Sequence, residues 1–556
     1  MNKKYIVGGI IFWAGLSGYM GLRILESYTE DAVFAALSAV PAQAQEIRYS
    51  FLTNTLTLKG VEYELPDDTI MHKGSIERVD VTGFNRKCMF VKPDMPAYDP
   101  DTLPVVAESI SASGITDRIH VGNVQAEQHI SDVHIRGWYQ RLGMFLDQHR
   151  QHNGEVSYYE ELFRTRLDGM EVNNLTLTLT GPDMPPATVS VDKIALSEGL
   201  QAPRGSDRVS PVSLCLSGLR VSATDSTGMR LNGGMQRVDL EDVLLPDPEV
   251  IVEIVKTSRA IDEAASDTGD GAADSDAGMD AFEAQLEKMV VLMQKTYENR
   301  PPLSRFGLQA GRLDVSGASS SAEKAGDALA TISVNSFNYM LSMTGAGEHK
   351  SATTLDGLRL NMAEFANDEI VKRYAPDGFV LNASGESVMS DTRLAGSGRY
   401  ELKGLGVLEG DLEMLGDIKA LQGWSAAENF AADPYALLQR LMIGSLNLKY
   451  EDSGLLAMGI ELVARDDGTP PGMLLDLAAA ELASIGQSQN RIVRQLVAAL
   501  REQMAMPGEF AMSLAPAEPM SIMDLASMVM MGSDALPVTF TSKPGTKPMK
   551  EYLPKN

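Results

Sequence analysis

The sequence predicts an α+β, β-rich protein. An N-terminal transmembrane helix leads into long bent or bulged antiparallel strands with interspersed amphipathic helices, and the C-terminal region is more helical. Three observations carry this expectation. Tyr5 to Leu25 is a 21-residue run of mostly apolar residues. A unit of apolar-x-x-apolar-x-apolar recurs through the middle of the chain. Apolar stripes at helical spacing follow Gly454.

The apolar run is long enough to cross about 30 Å of hydrocarbon at about 1.5 Å per residue. Tyr5, Ile11, Phe12, Trp13 and Leu25 are its expected anchor residues. Lys3 and Lys4 precede it and Glu26, Glu30 and Asp31 follow, so the positive-inside rule leaves residues 1–4 cytoplasmic and exports the rest. A signal-peptidase motif at Ala42-Gln43-Ala44 lies too far past the run for the usual cleavage geometry, so an uncleaved anchor is expected. Small-xxx-small pairs at Ala14/Gly18 and Ser17/Gly21 could let two such helices pack.

Residues 26–46 are Ala-rich and read as a helical stalk, and residues 47–247 as a β-rich domain. In Asn54–Pro66, Leu56 and Leu58 alternate with polar residues, the phase slips at Lys59-Gly60, and Val61, Tyr63 and Leu65 alternate again. A strand that keeps one apolar face across such a slip needs a bulge. Further instances of the unit include Ile76/Val79/Val81, Ile130/Val133/Ile135, Val191/Ile194/Leu196, Leu355/Leu358/Leu360 and Leu402/Leu405/Val407. Chance alone would give on the order of eight such matches in a chain this apolar, so the strand-like Thr/Val/Leu context carries the argument. Asp356-Gly357 would also suit a two-residue hairpin.

Trp138–His149 reads as a short amphipathic helix. Residues 248–300 read as a helical insert, interrupted by a small, acidic, flexible linker at 265–279. That linker resembles a calcium loop at Asp274 and Asp276 but lacks the closing Glu. Residues 301–450 continue the β-rich pattern. Residues 451–540 form a helical, Met-rich region, and 541–556 a disordered tail bearing Pro and Lys. Met stripes of this kind serve either as core or as a surface that adapts to acyl chains or a partner helix.

The net charge of −27 excludes broad docking on nucleic acid, and no nucleic-acid partner is expected. Cys88 and Cys215 are the only cysteines and could form one disulfide in an oxidising compartment, or stand as separate buried thiols. His149 and His152 could share a helical face toward a metal, although a helix C-terminus favours His on its own. No phosphate-binding loop, nucleophile elbow or dinucleotide fingerprint is present. The expectation is a non-enzymatic protein with no catalytic residues, metal ligands or cofactor.

The order Trp13-x-Gly15-x-x-Gly18-Tyr19-x-Gly21, then Glu26 and Tyr49-Ser50, resembles the YdgA-like and AsmA-like envelope proteins of Gram-negative bacteria. The strands NTLTLKGVEYELP and SIERVDVTGF resemble those of AsmA-like proteins. The resemblance covers about the first eighty residues in detail and the remainder in style. It implies an inner-membrane, largely periplasmic protein whose curved strands form an apolar trough, with a role in lipid handling or envelope maintenance. Membrane lipid is then the expected partner. The alternative is an assembly factor that binds other envelope proteins through its C-terminal helices.

Overall fold

The computed structural model describes residues 26–27, 29–34, 37, 42–66, 70–85, 105–121, 124–139, 166–181, 184–197, 212–225, 228–243, 303–316, 328–344, 348–362, 368–418, 440–488, 490–531 and 535–554. Within it the chain divides into two compact units. One comprises Met1–Gly228 and Gln236–Ser304, the other Met229–Met235 and Arg305–Asn556.

The first unit is an antiparallel meander: β1 (Ala42–Ser50), β2 (Thr55–Pro66), β3 (Ile70–Thr82), β4 (Val105–Val121), β5 (Val124–Tyr139), β6 (Arg166–Gly181), β7 (Met184–Ser197) and β8 (Val212–Thr224). Each strand pairs with the next in chain order. The strand β9 (Arg230–Val243) is divided between the units. At the start of the chain a helical segment at 29–34 packs Val33 against Tyr49, Leu56, Val81 and Phe84.

The second unit continues the same plan with β10 (Arg305–Ser316), β11 (Ala328–Thr344), β12 (Glu348–Met362), β13 (Phe379–Met389), β14 (Arg393–Leu402), β15 (Gly406–Gly416) and β16 (Leu441–Asp452). A short helix α1 (Glu369–Tyr374) separates β12 from β13. Its N-cap Asp368 accepts from the N–H groups of Ile370 and Val371. Helices α2 (Leu455–Asp466), α3 (Pro471–Ile485) and α4 (Arg491–Ala505) follow. The chain then returns to the sheet as β17 (Glu509–Leu514) and β18 (Met520–Ser521), both paired with β16. Helix α5 (Ile522–Met530), strand β19 (Val538–Lys543) on β17, and helix α6 (Met549–Tyr552) complete it.

Several expectations are corrected. No helix among the described residues is long and apolar enough to cross a membrane, so the predicted fold class with its transmembrane helix gives way to a strand-dominated antiparallel fold. The span Tyr5–Leu25, with Tyr5, Ile11, Phe12, Trp13 and Leu25, lies outside the described residues. Residues 42–46 of the expected stalk are strand, not helix: Ala42 and Ala44 alternate onto Tyr63 and Val61 of β2. Trp138 and Tyr139 belong to β5 rather than to a helix, and 140–149 lie outside the described residues. The region 451–540 contains strands as well as helices.

The tail at 541–556, expected to be disordered, carries the end of β19 and α6. Two apolar residues explain it: Met549 and Leu553 are buried in one cluster with Ala457 of α2 and Leu475 of α3. The insert 248–300 with its linker at 265–279, including Asp274 and Asp276, lies outside the described residues.

Candidate apolar binding face

In the first unit the apolar residues line up across the strands. Leu58, Val79, Ala112, Val133, Val172 and Ile194 stand opposite one another from β2 to β7. Val61, Ile76, Ile115, Ile130, Leu175 and Val191 form a second row on the same strands. Residues three apart in a regular strand point to opposite faces, so Leu58 and Val61 would part company. What rejoins them lies in between.

On alternate strands the slip residue is left-handed: φ is 58° at Gly60, 62° at Gly114, 52° at Asn174 and 66° at Gly218. A left-handed residue kinks the strand locally and restores the apolar phase beyond it. It also leaves room for a neighbour. The Glu77 carboxylate of β3 lies where a Cβ on Gly114 would project, and Asp192 of β7 does the same at Gly218. Glycine is needed at these two positions for both reasons, conformation and space. The second unit repeats the device. Ala310 and Gly357 have φ of 48° and 62°, and Asn335 of β11 occupies the Cβ space of Gly357. The Gly357 N–H then donates to Asn382 Oδ1 at 2.9 Å.

The result is a crease across the strands that divides one apolar face into two panels. Val61, Val172 and Val191 are buried, while most other members of the rows are half-buried. The segment at 29–34 covers the end nearest Tyr49. Its Glu30, and Glu26 ahead of it, also cap backbone N–H groups at the end of β1: that of Tyr49 donates to Glu30 Oε1 at 2.7 Å and that of Phe51, just past the strand, to Glu26 Oε1 at 2.9 Å. Beside this segment an open cleft of about 970 Å³ is lined by Phe34, Leu37, Ala44 and Tyr63, with Lys73 and Arg118 among its polar residues. In the second unit α5 covers its own end of the sheet: Leu525 packs against Leu514, Val538 and Leu536, with Met512, Met520 and Met528 around them.

The polar face is organised by short ion pairs. Arg78, Arg237 and Arg312 each bond the aspartate two residues on, at 2.6, 2.7 and 2.7 Å. Thr57 and Thr331 donate to Asp80 and Asp314, both at 2.7 Å. The Arg78 guanidinium beside Asp80 holds that carboxyl below the usual range, and Arg312 does so for Asp314. Lys193 lowers Glu171 in the same way.

Of the residues singled out in the sequence, Cys215 lies on β8 as a free thiol, raised above its ordinary pKa by burial and then by the neighbouring Asp239. Its candidate partner Cys88, and His149 and His152, lie outside the described residues. Among the described residues no group of His, Cys, Asp and Glu is placed to hold a metal. Asp356-Gly357 is not a hairpin but part of the crease, whereas Leu402/Leu405/Val407 is one: Leu402 pairs with Gly406 around Gly404. Sequence reasoning misses the carboxylates over Gly114 and Gly218, although their signal is there. IERV and VDKI on one strand answer ASGI and LSGL on the next.

A family model described only as "Uncharacterized protein" matches residues 399–543, from within β14 to the end of β19. No curated protein and no solved structure matches the chain.

Proposed function

We propose that this protein is a non-enzymatic lipid-handling protein of the bacterial envelope that holds acyl chains on the creased apolar face of its first unit. The observation that supports the reading is the pair of continuous, half-buried apolar rows from β2 to β7. An apolar sheet face gains free energy by burial against helices, a partner or a ligand. An acyl chain suits a long row because each methylene it buries contributes about 0.8 kcal/mol. Association and ordering consume much of that gain, so micromolar rather than picomolar affinity is expected. The cleft adds Lys73 and Arg118 near apolar Phe34 and Tyr63, a mixture that accommodates a headgroup beside a chain.

The test is a titration of delipidated protein with cis-parinaric acid, read by its fluorescence. Saturable binding is expected, displaced by a phospholipid and weakened about tenfold by Ile130→Asn, with folding of the variant confirmed by circular dichroism. A second substitution on the polar face, His134→Gln, is the control and is expected to bind normally. Absence of saturable binding, or equal binding by folded Ile130→Asn, overturns the reading.

A further inference from the structure

The polar face of the second unit holds an open groove of about 600 Å³ that crosses β12 to β17. Register sets its course, because two rows of side chains stand in line across these strands. One bank is Thr354, Ser384, Arg399, Glu409, Lys449 and Ala511. The other is Ala352, Glu386, Ser397, Asp411, Asn447 and Ser513. Between them the floor is backbone, with Gly385, Gly398 and Gly410 paired in succession. The N–H and C=O groups of that floor are used in the ladders, so a ligand meets side chains.

The cations on the banks are already matched within the chain. Arg399 pairs with Glu409 and, at 3.8 Å, with Glu401. Lys449 pairs with Glu509 at 3.1 Å and lies 3.9 Å from Glu409. An anionic ligand would have to compete with these carboxylates, and the isolated, exposed Glu386 holds a cation only weakly. Neutral hydrogen bonding is what remains, and its groups are held in place. Ser513 Oγ donates to Asn447 Oδ1 at 2.6 Å, and Asn447 Nδ2 donates to Asp411 Oδ1 at 2.8 Å. That chain leaves Asp411 Oδ2 and the Ser513 oxygen as acceptors and the second Asn447 amide hydrogen as a donor. Ser397 extends the row, exposed on the next strand.

Polar groups therefore recur along the groove at the strand spacing, about 4.8 Å. An extended β-linked glycan repeats its hydroxyls at nearly the same rise, one pyranose per strand. We infer that the groove binds a neutral oligosaccharide laid across the strands, whose successive hydroxyls meet Ser397, Asp411, Asn447 and Ser513. No aromatic ring is among the lining residues, so affinity rests on hydrogen bonds and is modest. The inference is independent of the lipid reading, since the groove lies in the second unit.

The full chain is titrated with cellohexaose and with chitohexaose by isothermal calorimetry, and with maltohexaose, whose α-links coil, for comparison. Saturable binding of an extended hexamer is expected, insensitive to salt and about tenfold tighter than that of maltohexaose. Asp411→Ala with Asn447→Ala removes the fixed donors and acceptors and should weaken binding about tenfold. Ser397→Leu, at an exposed position, should do the same by filling the groove. Circular dichroism confirms that both variants fold, and His129→Gln on the first unit is the control that should bind normally. Absence of saturable binding by both extended hexamers, or unchanged binding in either folded variant, overturns the inference. So does equal binding of maltohexaose, since the strand spacing would then select nothing. Tighter, salt-dependent binding of hexagalacturonate or of hexalysine would show that charge chooses the occupant, and would overturn it too.

Discussion

At the scale of single residues, the crease is where the chain is most tightly specified. A side chain in the left-handed region costs about 1–2 kcal/mol on conformation alone, and at Gly114 the added Cβ would also displace the Glu77 carboxylate. Gly114→Ala is therefore expected to lower unfolding free energy by about 2 kcal/mol in urea titration. Asn174→Gly, at the equivalent place in β6, relieves a φ of 52° and should change stability by no more than a few tenths of a kcal/mol. A neutral Gly114→Ala would show that the crease is incidental. The polar face gives a pH prediction. Asp80 and Asp314 have lowered pKa values in the fold, so their contribution is complete above the unfolded carboxylate pKa of about 4 and is lost as pH falls through the lowered values. Both side chains are partly exposed, which limits each to about 0.5 kcal/mol. Asp80→Asn should destabilise by that amount at pH 7 and by almost nothing at pH 2. An equal loss at both pH values would point to packing instead of charge.

At the scale of elements, legibility follows the density of the apolar pattern. The long strands announce themselves because Leu, Val and Ile alternate through them, and the phase slip at Lys59-Gly60 is readable from the residue order alone. β1 is hidden because AQAQE has no large apolar residue and Ala favours helices. Its place in the sheet comes from partners on β2. The hairpin at Gly404 and the crease at Gly357 have the same local spelling, and only pairing distinguishes them. The tail misleads for the reverse reason: Lys and Pro dominate its composition, but Met549 and Leu553 decide its fate. That docking is reinforced by Tyr374 of α1, whose hydroxyl reaches both the Glu461 carboxylate and, at 2.9 Å, the Tyr552 carbonyl. Arg373 pairs with the same carboxylate, which is buried in α2. Met549→Ala removes most of a fully buried side chain and should cost about 2–4 kcal/mol of local stability. Hydrogen exchange should then accelerate in α2 and α6 while the amides of β2 to β7 keep their protection. Unchanged exchange in α2 would show that the tail rests on the helices without holding them.

At the scale of the whole chain, the governing tension is between a negative charge of −27 and apolar surface that the strands leave half-buried. Like charge keeps molecules apart and so permits a protein to carry such a face in water. The sequence pI is near 4.7, so acidification removes the repulsion while leaving the apolar rows in place. Between pH 7 and pH 5, light scattering should rise as copies associate through their apolar faces. If those faces hold acyl chains, occupying them removes the sticky surface. Lysophosphatidylcholine, added below its micellar concentration and zwitterionic across this range, should suppress the scattering in proportion to the fraction bound. Ile130→Asn, which puts an amide into the row, should associate less and respond less to the lipid. Association that ignores both the lipid and the substitution would mean that the charge guards some other surface, and the creased face would lose its claim to be the site.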